Sequence, residues 1–357
     1  MNMLKKIMHL DIATFIAFLA GKKIPILDQG QIHFKTFGEE QKPSIEHYKQ
    51  FILPNIHKYE EQRINLLKIF RIRCFLFIPI LITILTLSTL WYYLMDAYGI
   101  TTEIKNYTMG TGLLLGVAVL WVYAPVSKYK LAIKSEIFPL IFSFFRGSLI
   151  YQVKSDFPLK SVLSSGIIPL YDYKFMEDSI KGTYKDVKLH LTQATLEIAN
   201  KAGKNNTRKT IFKGIIIQLS MNRSFYGKTI VRKDAGVIGN LFGKQFETLQ
   251  NVKLEDPVFE KQFEVYASDQ IEARYLLNPS FMERLIQLAK LFNNEPIQCS
   301  FFENSLLITI SSSKDYFEPG SIFAPATFEE DINTVLEQMH LIFQIIDILK
   351  LNEKNRL

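Results

Sequence analysis

The sequence predicts an α+β membrane protein: a two-helix transmembrane hairpin, then a cytoplasmic domain built on an antiparallel sheet and closed by a long C-terminal helix. Three observations carry this reading. Residues 74–95, CFLFIPILITILTLSTLWYYLM, run for 22 positions without a charge, and residues 107–126, YTMGTGLLLGVAVLWVYAPV, hold none either. Beyond them come runs that alternate polar and apolar residues, followed by one wide-striped helix. Several strands closed by such a helix also fit a pleckstrin-homology-like barrel.

Composition narrows the classes. The chain has 357 residues, 48% of them hydrophobic, so a sizeable core is available. A net charge of +7 favours anionic lipid, nucleic acid or an acidic protein as partner. Two cysteines, Cys74 and Cys299, give no disulfide framework, and the six histidines form no ligand pair, so neither a metal nor another cofactor is called for.

In chain order, residues 1–43 hold a short amphipathic segment and a loop. Lys5 and Lys6 followed by an apolar core resemble a signal peptide, but His9 and Asp11 interrupt it, and Gly-Lys-Lys stands where a cleavage site needs small residues. An amphipathic helix over residues 1–20 fits better. Residues 44–73 form a stalk helix with Ile52, Ile56, Tyr59, Leu67 and Phe70 on one face, Pro54 marking its first turn or a kink. It feeds the first span, 74–95, whose Leu, Ile and Phe residues favour the bilayer by about 4–7 kcal/mol, with a kink expected at Pro79. A short external loop, 96–106, leads to the second span, 107–126. There Gly112 and Gly116 form a small-xxx-small pair that suits close packing on the first span. Arg71 and Arg73 before the first span, and Lys128 and Lys130 after the second, place both termini in the cytoplasm by the positive-inside rule. The chain then crosses the cytoplasmic membrane twice and shows its mass to the cytoplasm.

Residues 127–357 form the cytoplasmic domain. A basic helix over 127–151 precedes a hairpin of 186–199 with 211–220, a third strand at 228–233, and a second hairpin of 297–303 with 306–311 turning at Glu303-Asn304-Ser305. The last helix, 328–351, carries Glu329, Glu330 and Asp331 in its first turn, as the helix dipole favours.

Residues 254–285 concentrate polar groups. Asp269 with Glu272 is a capping-box arrangement, and Asn278-Pro279 is an N-cap with proline at the first helical position. Glu255, Asp256 and Arg274 have no assigned role. A catalytic use would need two carboxylates to converge, such as Asp256 with Asp269, but no nucleophile or metalloprotease motif accompanies them. His190 falls mid-strand, on the solvent side. The strongest electrostatic feature is residues 201–234, nine cations against Asp234. Lys204, Arg208, Lys209, Lys213, Arg223, Lys228, Arg232 and Lys233 are its candidate contacts for an anionic surface or partner. No nucleic-acid recognition motif accompanies them.

The segments FKGI (212–215), VKLEDPVFEKQFEVYASDQIEARYLL (252–277) and PSFMERL (279–285) resemble an uncharacterised bacterial two-span membrane protein family, the domain of unknown function three-one-three-seven. Its layout is also similar from about residue 40 onward. The resemblance implies topology rather than chemistry. It also implies an envelope-associated role, since members are often encoded beside LemA-family membrane proteins, which makes a LemA-like protein a candidate partner. The expected function is a membrane-anchored, non-enzymatic module whose cytoplasmic domain binds a protein partner or an anionic membrane surface. The alternatives are a tethered hydrolase-like enzyme using carboxylates near 255–272, and a secreted bacterial protein that inserts into host membranes.

Overall fold

The structure, a computed structural model, describes residues 34–35, 45–99, 104–145, 148–200, 207–233, 249–293 and 295–351. The amphipathic segment expected at 1–20 lies outside them, as does Lys204. The described chain divides into two compact units. One comprises Ile45–Ile137 with Pro319–Asp331, the other Phe138–Glu318 and the chain from Ile332 onward. The stretch 319–331, read from sequence as part of the sheet domain, thus belongs with the helices.

The helical unit begins with a π-turn, Tyr48–Ile52, that passes into α1, Leu53–Ala97, with Pro54 in the first turn where its missing N–H costs nothing. The helix runs on through Pro79, and Thr83 Oγ1 donates to the Pro79 carbonyl at 2.8 Å. Its character changes at one position. Ile56, Tyr59, Glu60, Arg63, Leu67, Phe70 and Cys74 are buried along one stripe, and no residue after Cys74 is. Helix α2, Ile104–Ala132, mirrors this: Leu113, Leu114, Val117 and Leu120 are exposed, and burial begins at Pro125, Val126 and Tyr129. Both are long and apolar enough to cross a membrane. They pack on each other. Arg73 ties them at the basic end, donating to the Trp121 carbonyl at 2.6 Å with its guanidinium 4.9 Å from the indole centroid. Arg71 lies 6.0 Å from the Phe75 ring, and Lys128 is exposed.

Two expectations change here. Gly112 and Gly116 do not serve the α1–α2 contact, because a Cβ built on either meets no atom within 4 Å; they face open space. The helix of the second span runs through Pro125 without a break. Helix α2 continues to Ala132, a π-turn covers Ile133–Ile137, and α3, Phe138–Phe142, follows. The basic helix expected to reach residue 151 stops short: Leu149–Lys154 is strand β1, with Leu149 and Tyr151 buried and Ile150 and Gln152 exposed, a period of two.

The segment 319–328 is strapped onto the helical stalk by a buried ion pair. Arg63 has no exposed surface and Glu60 almost none. Arg63 donates to both Glu60 oxygens at 2.8 and 2.6 Å and to the Ile322 carbonyl at 2.9 Å, while Ala326 N donates to Glu60 Oε2 at 2.9 Å. Tyr48 OH reaches the Thr327 carbonyl, and Phe70 and Tyr59 meet Phe323 and Phe328 edge-on. A dry guanidinium is tolerated only because every one of these groups is in place.

In the other unit the described strands all pair antiparallel, in one nine-stranded sheet ordered β1-β2-β3-β4-β9-β8-β5-β7-β6. The strands are β1, β2 (Tyr173–Tyr184), β3 (Val187–Asn200), β4 (Thr207–Ser220), β5 (Thr229–Lys233), β6 (Gln250–Asn251), β7 (Phe263–Ala267), β8 (Ile297–Phe302) and β9 (Ser305–Ser311). The two hairpins and the third strand stand where the alternation predicted them. Strands β1 and β2 were not foreseen, because β2 is rich in charge and a bulge between Glu177 and Ile180 breaks its period. Among the described residues β1 and β6 end the order without pairing to each other, so the sheet is open and the barrel expectation does not hold.

The irregular segment 155–171 folds over one sheet face, where Phe157, Leu159, Val162, Ile167 and Ile168 pack with Leu196, Phe212, Ile216 and Leu307. Short helices α4 (Pro257–Glu260) and α5 (Gln270–Leu276) and the longer α6 (Pro279–Leu291) flank β7 in the chain. Helix α7, Glu329–Leu349, closes the fold, its Phe343 stacked on Tyr184 at 4.0 Å and edge-on to Phe145.

Arg63→Met is expected to destabilise the protein by about 3–5 kcal/mol, since it leaves Glu60 buried and unpaired. The double variant Glu60→Gln, Arg63→Met should recover most of that loss. Denaturant titration of the full chain in detergent measures both.

Candidate functional site

The acidic motif resolves into architecture. Asp256 caps α4, accepting from Val258 N at 2.8 Å and Phe259 N at 3.1 Å, with Pro257 following it. Asp269 caps α5 in the same way, accepting from Ile271 N and Glu272 N. Asn278 caps α6 through Phe281 N. Each oxygen therefore serves an N–H that the first turn would leave unpaired. The capping box is half right. Glu272 does not reach back to Asp269; its carboxylate takes the backbone N–H groups of Tyr226 and Gly227 at 3.1 and 2.8 Å and lies 3.7 Å from Arg223. It holds the β4–β5 connection instead. Arg274 is exposed in the last turn of α5, where a cation suits the helix dipole. Glu255 is exposed, and nothing in the structure gives it a role. With Asp256 and Asp269 committed to two different helices, the motif offers no pair of carboxylates free for acid–base work.

His190 is half-buried rather than on the open face. Its Nε2 lies 3.0 Å from Ser179 Oγ and 3.4 Å from Asp156 Oδ1, and its ring meets Phe157 at 4.7 Å. Burial holds its pKa below the usual value, against the pull of Asp156. One nitrogen faces both serine and carboxylate, so the Ser–His–Asp relay, which needs the two ring nitrogens on different partners, is not formed.

The basic segment does not gather into one patch. Lys213 is paired with Asp315 at 2.7 Å, and Arg232 with Glu264 at 2.8 Å while lying over Tyr266. Arg223 sits beside Glu272 and against Phe225 and Tyr275. Lys228 is half-buried and its pKa is lowered by that burial; Lys233 is half-buried on β5, separated from β4 by β9 and β8. The neutralising carboxylates come from residues 264, 272 and 315, far along the chain, so the run of cations in the sequence overstates the field.

What remains is at one end of the sheet, where β2, β3 and β4 run out together. Register aligns Tyr173 with Glu197 and Phe175 with Thr195. Tyr173 and Phe175 are 43% and 62% exposed, and Leu170 just before them is 57% exposed. Arg208 lies 4.0 Å from the Tyr173 ring centroid and 3.9 Å from Glu197. Lys174 and Lys209 are exposed at the same strand ends but on the other face, since the register sets Lys174 beside Leu196 and Lys209 beside Ile198. The opposite side of the same strands, through Met176, Leu196 and Phe212, is committed to the core. Aromatic rings that stay in water next to cations, with their backs locked in place, form a rigid amphipathic surface. Sequence reading found Arg208 and Lys209 but missed the aromatics, because β2 itself was missed.

Fold and site define a class: an open antiparallel α+β domain attached to two apolar helices. Residues 210–351 match the family described as "Protein of unknown function (DUF3137)". The match takes in the FKGI, 252–277 and 279–285 blocks. Gly214 of FKGI has a positive φ, and a Cβ there would run into the Ile310 carbonyl of β9, so the pairing of β4 with β9 requires glycine. No curated protein matches the chain. A solved structure, that of the mycobacterial trehalose monomycolate transport factor A, TtfA, is similar at 10% identity and a TM-score of 0.31, over 57% of this chain and 90% of that one. A likeness at that level transfers neither fold nor function.

Asp256→Ala and Asp269→Ala are each expected to cost about 1 kcal/mol, the worth of a helix cap, in a denaturation experiment. A loss several times larger would show that they do more than cap.

Proposed function

We propose that the chain is a membrane-anchored module, without catalytic machinery of its own, whose sheet domain meets an anionic bilayer surface through the Tyr173–Phe175 end. The observation that carries the anchoring is the change of character of α1 at Cys74: beyond it Ile78, Ile82, Leu85, Leu87 and Leu90 are 48% to 57% exposed, an apolar surface that only lipid would cover. Read with the flanking Arg71, Arg73, Lys128 and Lys130, the two helices form a double span with both ends of the chain on the cytoplasmic side.

The sheet end supports the second half. Arg208 shares the face of the exposed rings, and Lys174 and Lys209 extend from the other face of the same strand ends. Each cation near an anionic surface is worth roughly 1 kcal/mol, so this end contributes a few kcal/mol at most. For a free protein that is millimolar-scale binding, but a tethered domain meets the surface at high effective concentration, where such an affinity suffices. Tyr and Phe would sit at headgroup depth, as interfacial aromatics do.

Both native cysteines are buried, so an environment-sensitive fluorophore on Phe175→Cys labels one place. In nanodiscs rich in anionic lipid its emission is expected to shift to the blue relative to phosphatidylcholine nanodiscs, and Arg208→Glu with Lys209→Glu should cancel the shift. Identical emission in both lipids would refute the surface contact. Separately, a reporter active only outside the cytoplasm, fused after Leu357, should be silent, and activity there would reverse the orientation.

A further inference from the structure

The strap and stalk of the helical unit enclose a pocket of about 220 Å³, lined by Tyr129 of α2, Gly320, Ala324, Pro325 and Phe328 of the strap, and Asp331 of α7. It is smaller than the roughly 300–1,000 Å³ of pockets that take drug-sized ligands.

Two polar groups in its wall have hydrogen-bonding capacity turned to the pocket rather than spent on protein partners. Asp331 is 7% exposed. Its Oδ1 accepts from Gly320 N at 2.6 Å, yet among the described residues no Lys, Arg or His pairs with it. Tyr129 is 3% exposed, and among the described residues its hydroxyl has no hydrogen-bond partner. A carboxylate and a hydroxyl that meet at a pocket with this capacity unspent offer a third group two acceptors.

The surrounding charges fix the sign of that group. From α1, Glu60 and Arg63 face this region but neutralise each other, and Arg63 also donates to the Ile322 carbonyl. From α7, Glu330 lines the pocket beside Asp331. The balance is negative. The rest of the wall is aromatic and apolar: Tyr129, Phe328, Pro325 and Ala324. Metal ions prefer several oxygen ligands, and no group of three or more His, Cys, Asp or Glu is placed to hold one among the described residues. An aromatic wall with one carboxylate suits an organic cation.

We infer that this pocket binds a primary ammonium group, held by the Asp331 carboxylate and the Tyr129 hydroxyl against the Phe328 side. The ammonium belongs either to a small soluble amine or to the headgroup of an ethanolamine lipid. Burial, with Glu330 adding to it, pushes the Asp331 carboxyl up to about 6. The carboxylate is therefore ionised at pH 7.5 and largely protonated at pH 5. Binding is lost as the pH falls through that value, by about tenfold at pH 5.

The test is calorimetric titration of the full chain in phosphatidylcholine nanodiscs with propylammonium, and with neutral propanol as control. Saturable binding of the amine and not the alcohol is expected, weakened at least about tenfold by Asp331→Asn and at pH 5, and several-fold by Tyr129→Phe. Asp331→Asn keeps the acceptor for Gly320 N, and an unchanged circular dichroism spectrum shows that it folds. Tyr129→Phe gives an independent reading should it not. Absence of saturable amine binding, or equal binding by wild type and both variants, would overturn the inference. Repeating the titration with phosphatidylethanolamine in the disc separates the sources. Competition by the lipid assigns the pocket to a headgroup, and an unchanged affinity assigns it to a soluble amine.

Discussion

A guanidinium with no exposed atom must be answered by carboxylate and carbonyl oxygens, and in this chain Arg63 is answered by Glu60 and by the Ile322 carbonyl some 260 positions away. Much of the helical unit follows from that requirement. Because Glu60 also takes Ala326 N, the strap 319–328 is fixed on either side of Phe323, with Phe328 anchoring it further along. The strap in turn sets Gly320 against Asp331 and forms one wall of the pocket. Two phenylalanines alone would bury comparable area but would leave the strap free to slide. The ion pair contributes geometry more than stability, which is the usual return on a buried charge pair.

The two units show how differently sequence speaks for different physics. Hydrophobic length and charge flank are local properties, and the first apolar run begins at Cys74, where the burial stripe of α1 ends. Caps are local too: Asp256 was left unassigned, but Asp269 and Asn278 are caps as their spacing indicates. The β3–β4 and β8–β9 hairpins are near-neighbour pairings and were legible. What was illegible depends on distant residues. The cations of 201–234 looked free because Glu264, Glu272 and Asp315 arrive from elsewhere in the chain. Glu272 looked like a capping-box partner because spacing does not show a loop waiting at 226–227. Strand β2 was hidden by its bulge, and with it the exposed Tyr173 and Phe175.

Asp331 is the instructive case. In sequence it reads as one of three acids welcoming a helix dipole, a solvent-facing role. Its spacing to Val335, Gln338 and Ile342 puts it on the buried stripe of α7, and the structure buries it there. A carboxylate on an apolar face is a stronger signal than a carboxylate in a first turn, since the dipole's fraction of a kcal/mol does not offset the loss of hydration. The same reasoning separates Asp331 from Glu329 and Glu330, which share its position near the helix start but not its depth.

The strap has a consequence for how the chain is made. Residues 319–331 leave the ribosome after both apolar helices and after every strand of the sheet. Until then Arg63 and Glu60 lack the Ile322 carbonyl and the Ala326 amide that complete their dry contact, and the apolar side of the stalk has no cover. A nascent chain truncated before residue 319 would insert its helices with an open flank, suited to a chaperone or to a wrong neighbour. The helical unit therefore starts to emerge before the described strands and is completed only after them.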